Sequence, residues 1–116
     1  MVGARLRVVI APDVGFGPGK AALLESIKET GSIAAGGRSI GMSYKRAWYL
    51  VEAMNGHFDR PLVAASKGGK AGGGAKLTPL GEDVLAAFRA MEIATEKAIA
   101  PILRRLRRRI ATDTRG

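Results

Sequence analysis

GSIAAGGRSIGMSYKRAWYLVEAMN, residues 31–55, is the stretch on which the reading of the fold turns. Ser32 carries the short side-chain acceptor that closes the first turn of a helix, and Ile33 through Ile40 follow without a proline. Gly41 and Met42 make a tight turn, Ser43 caps another helix running to about Asn55, and Gly56 terminates it. Two helices of about 8 and 12 residues, joined by a short turn containing glycine, are the arrangement of a helix-turn-helix. Gly37 stands where the two helices must approach closely, so a small residue is needed there. Glycine rather than alanine at 36 and 37 costs about 1 kcal/mol each in helix propensity.

The second helix of the unit has two unlike faces. Ala47, Leu50, Val51 and Met54 recur at helical spacing and face a core together with Ile33 and Ile40. Tyr44, Lys45, Trp48, Tyr49 and Glu52 lie on the other side. Aromatic rings left in water are expected to have a partner. One reading is a recognition helix whose N-terminal residues reach base edges in a major groove. The other is that Trp48 tucks against a neighbouring helix or a second subunit.

Upstream, residues 18–30 (PGKAALLESIKET) form an amphipathic helix with Leu23, Leu24 and Ile27 on one face and Gly31 closing it. Residues 4–11 (ARLRVVIA) are β-branched, partly alternating and bounded by Pro12 and Gly15, which reads as one strand. The glycine-rich loop between them, Gly15 to Lys20, fails as a phosphate-cradling loop. Val14 stands at the first glycine position, and Ala21 replaces the magnesium-binding hydroxyl.

Downstream, residues 62–66 and 75–78 read as two short strands around KGGKAGGG (67–74), whose five glycines offer little bulk and few restraints. Such a tip is either an ordinary loop or a wing lying along a nucleic-acid backbone, where Lys67 and Lys70 neutralise phosphates. A long helix begins after Thr78 as N-cap, with Pro79 in its first turn and no reciprocal capping box because Gly81 occupies the third position. Val84, Phe88, Met91, Thr95, Ala98 and Ile102 are spaced as a heptad, which implies pairing with a second chain. Pro101 should kink or end the helix, leaving residues 1–100 as the domain and 101–116 as a basic tail.

The charge is as localised as the glycine. Of the formal net +9, residues 38–76 carry +5, from Arg38, Lys45, Arg46, Arg60, Lys67, Lys70 and Lys76 against Glu52 and Asp59. Residues 101–116 carry another +5, almost all of it arginine. Two concentrated patches are the footprint of a phosphate-rich partner, against the plainer reading of solvated faces. The absence of cysteine and the lone His57 exclude thiolate zinc sites, disulfides and Ser-His-Asp catalysis, and no carboxylate pair marks an enzyme. His57 is expected in a loop. No apolar run approaches a membrane span or an export signal, so a cytoplasmic protein is expected. Nothing marks a cofactor or small-molecule site.

Residues 31–55, followed by LVAASKGGKAGGGAKLTPLGEDVL (62–85), resemble the N-terminal DNA-binding domain of the molybdate-responsive ModE-type transcriptional regulators and, more distantly, LysR-type winged helices. The resemblance covers about residues 18–100, with SYKRAW and the lysine/glycine wing ending in LT as its specific parts. It implies a homodimeric winged helix-turn-helix, mainly α with a small β component, paired through its first and last long helices on a palindromic operator. Family members that sense molybdate carry C-terminal oxyanion-binding domains. With 116 residues, the chain is expected to supply the DNA-binding half without that sensor, leaving a link to molybdate-responsive regulation as an implication only.

The resulting expectation is a sequence-specific regulator. Tyr44, Lys45, Trp48 and Tyr49 contact bases or adjacent sugar-phosphate, Arg38, Arg46, Lys67, Lys70 and Lys76 hold the backbone of double-stranded DNA, and Ser43 belongs to the same DNA-binding set. Leu23 joins the heptad positions at the dimer interface. The alternative is a protein-interaction module that uses the Trp/Tyr face and the long helix, binding DNA only non-specifically.

Overall fold

Leu23, Leu24 and Ile27 are wholly buried, and around them the chain assembles its core. The computed structural model describes residues 4–66 and 74–111. In chain order these form β1 (Val8–Ala11), β2 (Val14–Phe16), α1 (Pro18–Thr30), α2 (Ile33–Ser39), α3 (Tyr44–His57), β3 (Val63–Ser66), β4 (Gly74–Leu77) and α4 (Pro79–Arg107). Each pair of strands is an antiparallel hairpin. The architecture is a winged helix-turn-helix with a long final helix.

The helix-turn-helix forms as the capping residues dictate. Ser32 Oγ accepts from the Ala35 N–H at 3.0 Å, and Ser43 Oγ accepts from the Arg46 N–H at 3.1 Å. Gly41 adopts φ +73° in the turn, a conformation that only glycine enters without strain. A Cβ on Gly37 would lie 3.0 Å from the Ala47 Cβ, so α2 and α3 touch backbone to side chain at this point. Met42 folds back beneath the turn as its N–H donates to the Gly37 carbonyl at 2.8 Å. That is why Met42 packs against the core while Ile40, expected there, is exposed.

Three further boundaries differ from expectation. The N-terminal segment is a hairpin rather than one strand, because Asp13 enters the left-handed region (φ 64°) and returns the chain as β2. This delivers Phe16 to the core, where its ring lies 5.2 Å from that of Phe88. Helix α3 passes through Gly56, where nothing crowds the backbone, so His57 is an exposed last helical residue and not a loop residue. Helix α4 does not end at Pro101 but runs on to Arg107, taking in half of the expected tail. Proline removes a single helical donor, and the leucine- and arginine-rich turns beyond it are good helix formers.

The hairpin β3–β4 is fastened at its base, on both strands. Asn55 Oδ1 accepts from the N–H groups of Leu62 (2.8 Å) and Val63 (3.1 Å), and its Nδ2 donates to the Val63 carbonyl (3.1 Å). Thr78 caps α4 by accepting from the Gly81 N–H, while its hydroxyl donates to the Pro61 carbonyl at 2.7 Å. Any Cβ on Gly81 would collide with the Leu62 carbonyl, which ties α4 against the strand.

Candidate nucleic-acid interface

The two faces of α3 separate as the pattern requires. Ala47, Leu50, Val51 and Met54 are buried, whereas Tyr44, Trp48 and Tyr49 are 62%, 39% and 66% exposed. Tyr44 and Trp48 meet edge to face with ring centroids 6.1 Å apart, so they present a shaped aromatic corner. Lys45 and Arg46 stand exposed in the same first turns, and Arg38 is exposed at the end of α2. The Ser43 oxygen is committed to the cap, leaving its O–H as a donor. Lys76 is exposed on β4, while Lys67 and Lys70 lie outside the described residues.

Two grooves flank this face. One, of about 470 Å³, runs between Tyr44 and Trp48 on one side and Ile33, Val63 and Ala75 on the other, joining the exposed helix to the β3–β4 hairpin. The other, of about 290 Å³, brings Arg7 and Lys20 beside Arg46. Sequence alone assigns Arg7 to a strand and Lys20 to the rejected glycine loop, whereas Arg7 precedes β1 and Lys20 lies in the first turn of α1. Lys20 Nζ, in the first turn of α1, donates to the Gly15 carbonyl of β2 at 2.7 Å. Partial burial, and then the neighbouring Arg7 charge, hold its ammonium below the usual lysine range. Arg7 and Lys20 thus come together with Arg46 of α3 from separate segments.

The expected dimer positions divide into two groups. Leu23 and Phe88 are spent in the chain's own core, Phe88 being only 1% exposed, so neither is free to meet a second chain. Periodicity alone does not distinguish a core contact from a chain-to-chain one, and Phe88 faces inward with Gly81 and Leu85 on α4. Val84 is half-buried against the core and Thr95 half-buried farther out. Met91, Ala98 and Ile102 are exposed, as are Ile93, Leu106 and Ile110, which the heptad did not include. Among the described residues there is no group of three or more metal-ligating side chains, and no helix is long and apolar enough to cross a membrane.

No family model matches the chain. Curated relatives do. The molybdenum-pterin-binding protein MopB of Rhodobacter capsulatus is 49% identical over 85 residues, 73% of this chain and 32% of that protein. The molybdenum transport protein ModE of Azotobacter vinelandii is 39% identical over 72% of this chain and 31% of its own length. The DNA-binding transcriptional dual regulator ModE of Escherichia coli K12 is 37% identical over 70% of this chain and 31% of its own. The chain thus spans about a third of the length of these relatives. Among solved structures, the full-length LysR-type regulator LysG of Corynebacterium glutamicum, with bound effector Arg, matches 78% of this chain and 29% of its own. Its TM-score is 0.57 at 26% identity. On sequence and fold alike, the chain is a winged helix-turn-helix of the ModE-type transcriptional regulator family.

Proposed function

We propose that this chain is the DNA-reading part of a homodimeric, sequence-specific transcriptional regulator that acts in the cytoplasm, and that α3 is its recognition helix. The exposed Tyr44, Lys45, Trp48 and Tyr49 face of α3 carries this reading. Large rings are left in water beside cations that form no ion pair among the described residues, on the second helix of a helix-turn-helix, where a major groove is met in this architecture. Arg38, Arg46 and Lys76, joined by Arg7 and Lys20 in the adjoining groove, hold the backbone on either side. The segment between β3 and β4, with Lys67 and Lys70, serves as the wing. Met91, Thr95, Ala98 and Ile102 offer α4 to the second chain on a palindromic operator. Relatives named for molybdenum support a link to molybdenum-dependent regulation.

Titration of Trp48 fluorescence with random-sequence duplex at two salt concentrations tests the reading. Micromolar binding that weakens steeply with salt is expected. Binding that is absent or insensitive to salt favours a protein-interaction role for the same face. Replacing Lys67 and Lys70 with alanine should weaken binding to every sequence and lower the salt slope by up to ~2, whereas Lys45→Ala should change base preference. Equal loss of discrimination from both changes sinks this division of labour.

A further inference from the structure

Two groups of cations in this molecule meet opposite fates. Arg89 is engaged with both Glu25 and Glu92, and Lys28 pairs with Glu82 at 2.9 Å. Arg104, Arg105, Arg107, Arg108 and Arg109 are all exposed, and none forms an ion pair with a described residue. The sequence has no acidic residue from Lys97 to Thr112, so neighbours on the same helix supply no counter-charge. Five like charges crowd into six positions, a self-repelling arrangement that an external polyanion relieves.

The position of these arginines matters as much as their number. Among the described residues, Glu96, which accepts from the Ala4 N–H at 3.0 Å, is the outermost α4 side chain held by a hydrogen bond to the N-terminal segment. From Lys97 to Arg107 the helix runs on for roughly 16 Å. Hydrogen bonds from the N–H groups of Arg108, Arg109 and Ile110 continue the winding past the last regular turn. Helical spacing turns Arg104, Arg107 and Arg108 away from the exposed Ile102 and Leu106, while Arg105 and Arg109 border those apolar side chains. All five cations are arginine, whose planar fork engages a phosphate through two donors where lysine offers a point charge. The longest dimension of the chain is 54 Å. A duplex turn is about 34 Å, so a single duplex is long enough to meet both this cluster and α3.

We propose that Arg104, Arg105, Arg107, Arg108 and Arg109 form a second duplex-DNA site, gripping backbone phosphates beyond the segment covered by α3 and the β3–β4 hairpin without reading sequence. The proposal rests on the reading of α3 as a DNA-binding helix. Arg104, Arg107 and Arg108 lie away from Ile102 and Leu106, so these three can be changed without touching the side of α4 offered for helix pairing.

The test uses the full chain and fluorescence anisotropy across a KCl series, with duplexes of about 15 and 40 base pairs, each pair-equivalent carrying up to two phosphate charges. The variant with all five arginines changed to glutamine should bind the long duplex at least tenfold more weakly at low salt, with a salt slope reduced by about 3 to 4. Its base preference should not change, and on the short duplex it should stay close to the parent. The matching arginine-to-lysine variant should retain most of the parent's affinity, and circular dichroism checks that both are folded. A glutamine variant indistinguishable from the parent on both duplexes overturns the proposal. So does loss of binding to phosphatidylglycerol vesicles with duplex affinity intact, which would assign the arginines to a lipid surface. A parent that binds no duplex refutes the reading of α3 itself, an outcome separate from either of these.

Discussion

The two faces of α3 share one backbone and one cap, yet they are built for different tasks. On the inner face Ala47, Leu50, Val51 and Met54 are consumed by the core, and Ala47 is pressed against Gly37. On the outer face Tyr44, Trp48 and Tyr49 spend apolar surface on water and support no other element of the fold except at the margin of the Trp48 groove. Under the proposed function, stability and recognition fall on opposite sides of a single helix, and substitutions on either side test that division.

The largest effect should come from the inner face. Met54→Ala should cost about 2–4 kcal/mol, seen as a lower denaturation midpoint, because a wholly buried side chain leaves a cavity. Below the new midpoint, DNA affinity should match the parent. Asn55→Ala should follow at about 1–3 kcal/mol, since it strands the Leu62 and Val63 N–H groups and the Val63 carbonyl together. Gly37→Ala is a finer probe. Its propensity gain of up to ~1 kcal/mol should be cancelled or reversed by contact with Ala47, and should emerge as net stabilisation once Ala47→Gly removes that contact. The absence of a sign change in that double-mutant cycle would break the close-approach argument. Smallest in stability, at within about 0.5 kcal/mol, is Tyr49→Ala on the outer face, although duplex affinity should fall measurably.

Most of this organisation was legible in the chain, because short-range chemistry controls it. Ser32, Ser43 and Thr78 cap the helices they announce, Gly41 takes the turn, and the inner face of α3 follows its period. What escaped depends on residues far apart in sequence. Phe16 needed Phe88 to pull β2 into place, and Gly81 needed the Leu62 carbonyl to explain it. Ile40 and Met42 exchanged roles because the direction of the chain after a glycine turn decides which side chain goes inward. On α4, adjacent Val84 and Leu85 are equally apolar, and only packing shows that Leu85 joins Phe88 in the chain's own core while Val84 stays at its edge. The charge cluster of Arg7, Lys20 and Arg46 was invisible for the same reason: three distant segments build it.

Selection of bound sequences from a random duplex pool tests the central claim most directly, run in parallel for the parent, Lys45→Ala and Lys76→Ala. The parent should recover a palindromic motif, Lys45→Ala should alter bases within its half-sites, and Lys76→Ala should recover the same motif with weaker enrichment. A pool that emerges from the parent with no enriched motif would contradict α3 as a reader of sequence.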